Sequence, residues 1–387
     1  MKSNSTLHFT FFLILIIFQN ILFAQESDRI QQAEYYSRLG DQAFVSDRYY
    51  EAMDYYTRAI AIDQKYEYYV NRARAYTWLG RVYDALDDCN YALKLNYDGY
   101  LNHIVYSVRS EIYFSLGDYQ KAFDDIKQSL LFDSQYSRAY CVRGMLYRSL
   151  KEYDKAIIDF NKAIELDPQA YSFYAHRALL YYDIGVFAKA LDDCNYSLQL
   201  NHEYGKVFYL RGLVYDKMEK FDFAFADYNK AIDLDPENYE YCHQRGTLFF
   251  RLSEYQKALD DFNKAIAINN MIFEQYFNRG LANAFLERYQ EAINDFSKAL
   301  EFNPENIKVL KNRGNLYFNT ENYYAALEDY NAIIALDQKD AELYNIRGII
   351  YQRLASQTAD LKIREKYRTK AKKDFEVVQR LMSETDM

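Results

Sequence analysis

Proline is nearly absent from this chain, with three in 387 residues and only twelve glycines beside them. Proline breaks helices and glycine weakens them, so their scarcity leaves long stretches free to stay helical. Half of the residues are hydrophobic, which excludes a disordered chain with too little apolar surface to build a core. Basic residues are the minority: 47 Lys and Arg against 56 Asp and Glu give a formal charge of -9. That balance argues against a general nucleic-acid binder, which needs a concentrated basic surface. The five histidines show no metal-ligand spacing, and no cysteine pair has the short separation of a zinc site. No glycine-rich phosphate loop follows a strand pattern. No enzyme activity, cofactor or metal is therefore expected.

The N-terminus is set apart from the fold. Lys2 precedes an apolar run from Phe9 to Phe23, followed by Ala24 and Gln25, the pattern of a secretory signal peptide over residues 1–24. Leu22 is large for its place before the cut and Gln19-Asn20 interrupt the run, so an uncleaved anchor through residues 9–23 is the alternative. No cysteine follows the run, which disfavours a lipoprotein anchor, and no second apolar stretch is long enough to span a bilayer. The expected location is exported, periplasmic or extracellular, with no membrane contact beyond that segment.

Self-similarity is the main signal. Arg143-Gly144, Arg211-Gly212, Arg245-Gly246, Arg279-Gly280, Arg313-Gly314 and Arg347-Gly348 share a 34-residue register, and Arg177-Ala178 fills the missing step. Ala156, Ala190, Ala224, Ala258, Ala292 and Ala326 follow twelve residues later, and Phe160, Cys194, Tyr228, Phe262, Phe296 and Tyr330 four residues after those. Upstream, Gly40 with Ala52, Ala73 with Ala85 and Ser110 with Ala122 continue the pattern. A tenth copy begins at Ala341 and takes an eleven-residue insertion before Ala371 and Phe375. Eleven residues are about three helical turns, so both helices can lengthen without rotating their apolar faces. Within each copy the apolar residues recur at helical spacing on two segments, and Gly80, Gly117 and Gly185 mark the turn between them.

The small residue at the eighth repeat position, the aromatic at the eleventh (Tyr147, Tyr181, Tyr215), alanine at the twentieth and proline at the thirty-second resemble the tetratricopeptide repeat family. The resemblance implies an all-α fold, a right-handed superhelical solenoid of about ten antiparallel helix-turn-helix repeats. Nine would span residues 28–340, and the tenth, extended repeat over 341–387 would cap the stack. Its apolar stripe is Ile363, Tyr367, Ala371, Phe375 and Val378, flanked by basic rows.

Nine repeats pair an arginine at position seven with an aspartate at position twenty-three: Arg72 and Asp88, Arg109 and Asp125, Arg143 and Asp159, Arg177 and Asp193, Arg211 and Asp227, Arg245 and Asp261, Arg279 and Asp295, Arg313 and Asp329, Arg347 and Asp374. Repeat one lacks both, carrying Leu39 and Tyr55. In an antiparallel hairpin the two positions lie at similar height, so each pair is expected to be a structural ion pair rather than part of a ladder for an acidic ligand. The acidic doublets, such as Asp87-Asp88 and Asp260-Asp261, then read as a solvated face plus the arginine's partner. The four cysteines lie in repeats two, four, five and seven, too far apart for disulfides, and are expected to be buried thiols, with Cys141 facing a groove.

The resemblance implies that first helices line a concave groove through positions two, five, six, nine, twelve and thirteen. Those positions differ in every repeat. Most of the 42 tyrosines sit at core positions, so only a few aromatics remain as contact candidates: Trp78, Tyr182, Tyr209, Phe250, Phe277 and Phe318. Leu179, Tyr209 and Leu213 are expected to form an apolar anchor patch, and Asn278, Lys311, Asn312 and Asn315 to bond a ligand backbone or carboxylate. Lys311 and Asn315 match the start of the family's carboxylate clamp, but Ile346 replaces its next asparagine, which disfavours that ligand. The expected function is a protein-interaction scaffold binding a peptide or protein; a membrane-tethered assembly factor and a substrate-presenting subunit of an enzyme complex are the alternatives.

Overall fold

Helices of 13 and 14 residues alternate through most of the chain, because each repeat carries two amphipathic segments that bury one stripe apiece against the other. The computed structural model describes residues 25–46, 48–95, 99 and 101–385, so the leader expected over residues 1–24 lies outside the described residues. Among the described residues every regular element is helical. The helices form two compact units that divide between His202 and Glu203. The first unit holds α1 (25–45), α2 (Tyr49–Ile62), α3 (Tyr66–Trp78), α4 (Val82–Leu95), α5 (Asn102–Ser115), α6 (Tyr119–Phe132), α7 (Ser137–Ser149), α8 (Tyr153–Leu166), α9 (Tyr171–Asp183) and α10 (Phe187–Leu200). The second holds α11 (Gly205–Lys217), α12 (Phe221–Leu234), α13 (Tyr239–Arg251), α14 (Tyr255–Ile268), α15 (Phe273–Phe285), α16 (Tyr289–Phe302), α17 (Ile307–Asn319), α18 (Tyr323–Leu336), α19 (Ala341–Gln357) and α20 (Leu361–Thr385).

Within each unit a first helix packs on the second helix of its own repeat, and that second helix packs on the first helix of the next. First helices also touch each other directly, α3 with α5, α5 with α7 and α7 with α9 in the first unit and α13 with α15 in the second. They therefore stand side by side and present a shared face.

Close approach inside each hairpin is set by one pair of positions. A Cβ added to Gly144 would lie 2.8 Å from Phe160 Cε1, and one added to Gly212 would lie 2.7 Å from Tyr228 Cε1. Where position eight is larger, position twenty-four is smaller: Ala73 faces Cys89, Ala178 faces Cys194 and Ser110 faces Ile126, all fully buried. Cys89 and Cys194 thus occupy slots narrowed by a neighbour's extra carbon. All four are buried free thiols, Cys141 included at 4% exposure, and burial pushes the thiols of Cys89, Cys141 and Cys242 up.

The hairpin turn is fixed by backbone geometry rather than by residue type. Gly80, Gly117 and Gly185 have φ of 72°, 75° and 76°, and the same place in other repeats is held by Lys151, Glu219, Ser253, Glu287 and Glu321 at φ of 59–62°. Side chains rarely adopt this left-handed region, so the five hairpins without glycine carry local strain offset by packing on either side.

The last repeat is longer: α19 has 17 residues and α20 has 25. The inserted turns leave the apolar face in register, since Ala371 is buried and a Cβ on Gly348 would meet Phe375 Cε1 at 2.8 Å. Ile363, the first member of the expected stripe, is instead 42% exposed, because it lies in the extra turns where no preceding helix covers it.

Candidate partner-binding face

The repeated arginines and aspartates meet in every one of the nine repeats that carry them. Arg72 Nε and Nη2 donate to the two oxygens of Asp88 at 2.8 Å each, and Arg245 does the same to Asp261 at 2.7 and 2.6 Å. The series continues through Arg109–Asp125, Arg143–Asp159, Arg177–Asp193, Arg211–Asp227, Arg279–Asp295 and Arg313–Asp329. In the last repeat Arg347 reaches Asp374, eleven residues further along than elsewhere. Burial pushes the Asp88 and Asp329 carboxyls up, and their arginines offset this only in part. Such a pair gives geometry more than net stability, since desolvation consumes most of the Coulombic gain.

A third contact of these arginines is absent from the reading of the sequence. The remaining nitrogen, Nη1, reaches back to the preceding repeat: Arg109 to Asn90, Arg177 to Asn161, Arg245 to Asn229, Arg279 to Asn263 and Arg347 to Asn331, at 2.5–2.9 Å. Thr57 and Ser297 take the same place for Arg72 and Arg313. Each of these seven arginines therefore ties two repeats as well as two helices. The asparagine recurs two residues after the aspartate, and that period is the signal that would have found it.

The expected contact residues lie on first helices, each within its own unit. In the first unit Trp78 stacks on Tyr49 with centroids 5.2 Å apart and remains 53% exposed, Tyr182 leans on Phe187, and Leu179 is half-buried. In the second unit Tyr209 and Leu213 pack against the buried cluster of Ala224, Tyr228 and Leu248, the Tyr209 ring 4.9 Å from that of Tyr241. The apolar trio read from the sequence is thus shared between the two units. Phe250 packs edge-on against Tyr255 and Phe285, Phe277 stacks on Phe273, and Phe318 meets Tyr323.

The polar candidates already hold intramolecular partners. Asn278 bonds His243 at 3.3 Å, Asn312 donates to the backbone carbonyl of Lys308, Asn315 accepts from Tyr330, and Lys311 donates to Glu342. Their role as ready ligand-backbone donors is correspondingly reduced. His243 itself is held below the usual imidazole range by burial, with Nδ1 buried and unbonded.

The first unit carries a charged recess on the same face that sequence reasoning missed. Arg138 on α7 donates through Nε and Nη2 to both oxygens of Glu111 on α5, at 2.7 and 2.9 Å. The two side chains keep 38% and 26% of their surface, so the pair is ringed by protein yet open on one side. Burial opposes ionisation of Glu111, but Arg138, with Arg74 and His176, more than offsets it and holds the carboxyl low. Arg74 on α3 lies over the Phe44 ring at 4.8 Å and has no hydrogen bond or ion pair among the described residues. Burial, reinforced by Arg138, holds its guanidinium below the ordinary arginine value. The recess thus has one carboxylate, bound in a bidentate pair, between two guanidinium groups. Its residues sit at positions nine, nine and two of successive repeats, and opposite charges at these places were the available signal.

Residues 137–169, 205–238 and 273–306 match one family description of the tetratricopeptide repeat, and residues 239–270 and 307–340 match a second. The matched segments are tetratricopeptide repeats. The same hairpin geometry extends beyond them, because the repeats headed by Arg72, Arg109, Arg177 and Arg347 carry the same two-oxygen staple. The chain is similar to the Translocon at the outer membrane of chloroplasts 64 of Pisum sativum, 34% identical over 110 residues, which is 28% of this chain and 18% of that relative's length. Solved structures with tetratricopeptide-like similarity include pilF of Pseudomonas aeruginosa, at 16% identity and a TM-score of 0.49 over 54% of this chain and 96% of that one. YrrB, a tetratricopeptide protein with an unusual peptide-binding site, matches at 22% identity and a TM-score of 0.40 over 49% of this chain and 97% of that one. Among the described residues no three His, Cys, Asp or Glu side chains converge to hold a metal ion, and no helix is long and apolar enough to cross a membrane.

Proposed function

We propose that this protein is a non-catalytic scaffold that holds a protein partner along its first-helix face, and that the partner places an acidic group in the recess of the first unit. The observation that carries the reading is Arg74. Its side chain is half-buried over the Phe44 ring beside a second arginine, while the nearby carboxylate of Glu111 is taken in a bidentate pair. An enclosed charge without a partner is costly to a fold, and an arriving carboxylate would remove that cost with charge-assisted hydrogen bonds. The half-buried aromatic and aliphatic side chains elsewhere on the face supply apolar contact, as anchors in such interfaces do. The leader-like segment over residues 1–24 supports an exported protein, and N-terminal sequencing of the mature chain reads whether it is cut after Ala24.

A fluorescent hexaglutamate peptide tests the recess. It should bind with an affinity that falls as salt rises, and a hexalysine peptide of equal length should not bind. Arg74→Met should weaken hexaglutamate binding by tenfold or more while raising the melting temperature, because the enclosed charge is gone. If Arg74→Met lowers the melting temperature and leaves binding intact, Arg74 is a structural residue and the acidic anchor is wrong.

A further inference from the structure

Position eleven of the repeat is aromatic in eight repeats, as Tyr76, Tyr113, Tyr147, Tyr181, Tyr215, Phe249, Tyr317 and Tyr351. The ring occupies a defined slot, next to the guanidinium of the staple arginine on one side. Arg72 lies 5.5 Å from the Tyr76 centroid, Arg109 lies 5.8 Å from that of Tyr113, and Arg313 lies 5.8 Å from that of Tyr317. In several repeats a lysine at position nineteen covers the ring from outside, as Lys121 does for Tyr113, Lys155 for Tyr147 and Lys257 for Phe249, at 5.3–5.4 Å. Cation and ring attract at these separations, so the slot is built to hold an aromatic face.

Repeat eight lacks the ring. Asn283 stands there, 5% exposed, and turns inward to donate to Asp295 at 2.9 Å. What remains is an open cavity of about 430 Å³ between α14, α15 and α16, floored by Leu259 and walled by Asn263, Arg279, Arg288, Glu291 and Asn294. The staple is intact around it: Arg279 still grips Asp295 and Asn263. Glu291 takes the place of the covering lysine, and the slot is open to solvent beside it. The volume falls in the range of small-ligand pockets.

We propose that this cavity is a binding site for an aromatic ring, seated where eight other repeats place their own ring and facing the guanidinium of Arg279. The ring comes either from a free phenolic molecule or from a tyrosine side chain of a partner; the chemistry of the slot is shared. The site belongs to the second compact unit and the charged recess to the first, and its test is independent of the recess.

Ligand-observed NMR with p-cresol, the tyrosine side chain as a free molecule, tests the site on the full chain. A ligand of this size in such a slot should bind with a Kd on the order of 1 mM. Asn283→Ala, which widens the cavity, should keep that affinity. Asn283→Tyr and Asn283→Phe, which restore the arrangement of the neighbouring repeats, should weaken it at least tenfold while the helical signal and melting temperature hold or rise. Acetyl-tyrosine amide separates the sources: binding alongside p-cresol assigns a side chain of a partner, and its exclusion while p-cresol still binds assigns a free phenol. No detectable p-cresol binding to the wild type, or equal binding to wild type and Asn283→Tyr, overturns the proposal.

Discussion

Replacing Gly144 with alanine tests whether the eighth and twenty-fourth positions are matched in volume. The new Cβ would lie 2.8, 2.9 and 3.1 Å from three carbons of the Phe160 ring, which is itself fully buried. Carbon pairs prefer about 3.5 Å or more, so the ring would have to retreat by roughly 0.7 Å in a site with no free space. Overpacking of this kind costs about 1–3 kcal/mol, and the better helix propensity of alanine returns about 1 kcal/mol. A net loss of about 0–2 kcal/mol is expected. Phe160→Cys alone leaves a void where the ring was and should cost about 3–4 kcal/mol. The double mutant rebuilds the combination that the next repeat already has in Ala178 and Cys194, both fully buried. Its added methyl fills part of the void and no longer clashes, so it should be about 1–3 kcal/mol more stable than the sum of the single mutants predicts. Urea denaturation followed by far-ultraviolet circular dichroism reads this as a midpoint shift at constant slope. Strict additivity would refute the argument, because independent sites add and matched ones do not.

Arg245→Leu should destabilise by about 3–5 kcal/mol, since it strands Asp261 at 2% exposure, whereas Arg245→Leu with Asp261→Leu should recover most of the loss; a single mutant with wild-type stability removes the staple reading. Gln275 is fully buried with neither Oε1 nor Nε2 hydrogen-bonded, at a position held by Phe173, Val207 and Val309 in other repeats, so Gln275→Leu should stabilise by about 1–3 kcal/mol in the same denaturation assay, and a loss would show that the amide has a partner. His243 sits below its ordinary value of 6.5 through burial, so the unfolded chain takes up this proton first as the pH drops. Stability should therefore be full above about pH 6.5 and fall as the pH moves down through the folded value; His243→Gln should flatten that part of the profile, and identical wild-type and mutant slopes between pH 7.5 and 5 would exclude it.

What the sequence made legible is what repeats within one hairpin. Gly144 and Phe160, or Arg245 and Asp261, recur at fixed separation, and the joint absence of arginine and aspartate from repeat one marks them as partners before any coordinates exist. Asn229 recurs just as regularly, but its partner Arg245 lies in the following repeat, so the bond becomes visible only once the stacking is known. The left-handed turn was readable from Gly80 and Gly117 and silent at Ser253 or Glu287, because the hairpin imposes the same φ on whatever residue stands there. The charged recess has no period at all. Arg74, Glu111 and Arg138 each occur once, on three different first helices, and only the reach of their side chains across neighbouring helices brings them together. Asn283 was not singled out in the sequence, because a missing ring becomes a cavity only when its surroundings fail to collapse.

The backward tie from each staple arginine has one gap inside the first unit. Lys127 occupies the place of the asparagine in repeat three, and Arg143, with 30% of its side chain exposed against 15–24% for the other staple arginines, makes among the described residues only its two hydrogen bonds to Asp159. The bidentate Arg138–Glu111 pair crosses the same joint from α7 to α5, so when the first unit is stretched the load that an arginine-to-asparagine bond carries in other repeats falls on this one partly exposed pair. Loss of that pair, as in Glu111→Ala, should therefore loosen α6 from α7, read as faster amide exchange in both helices.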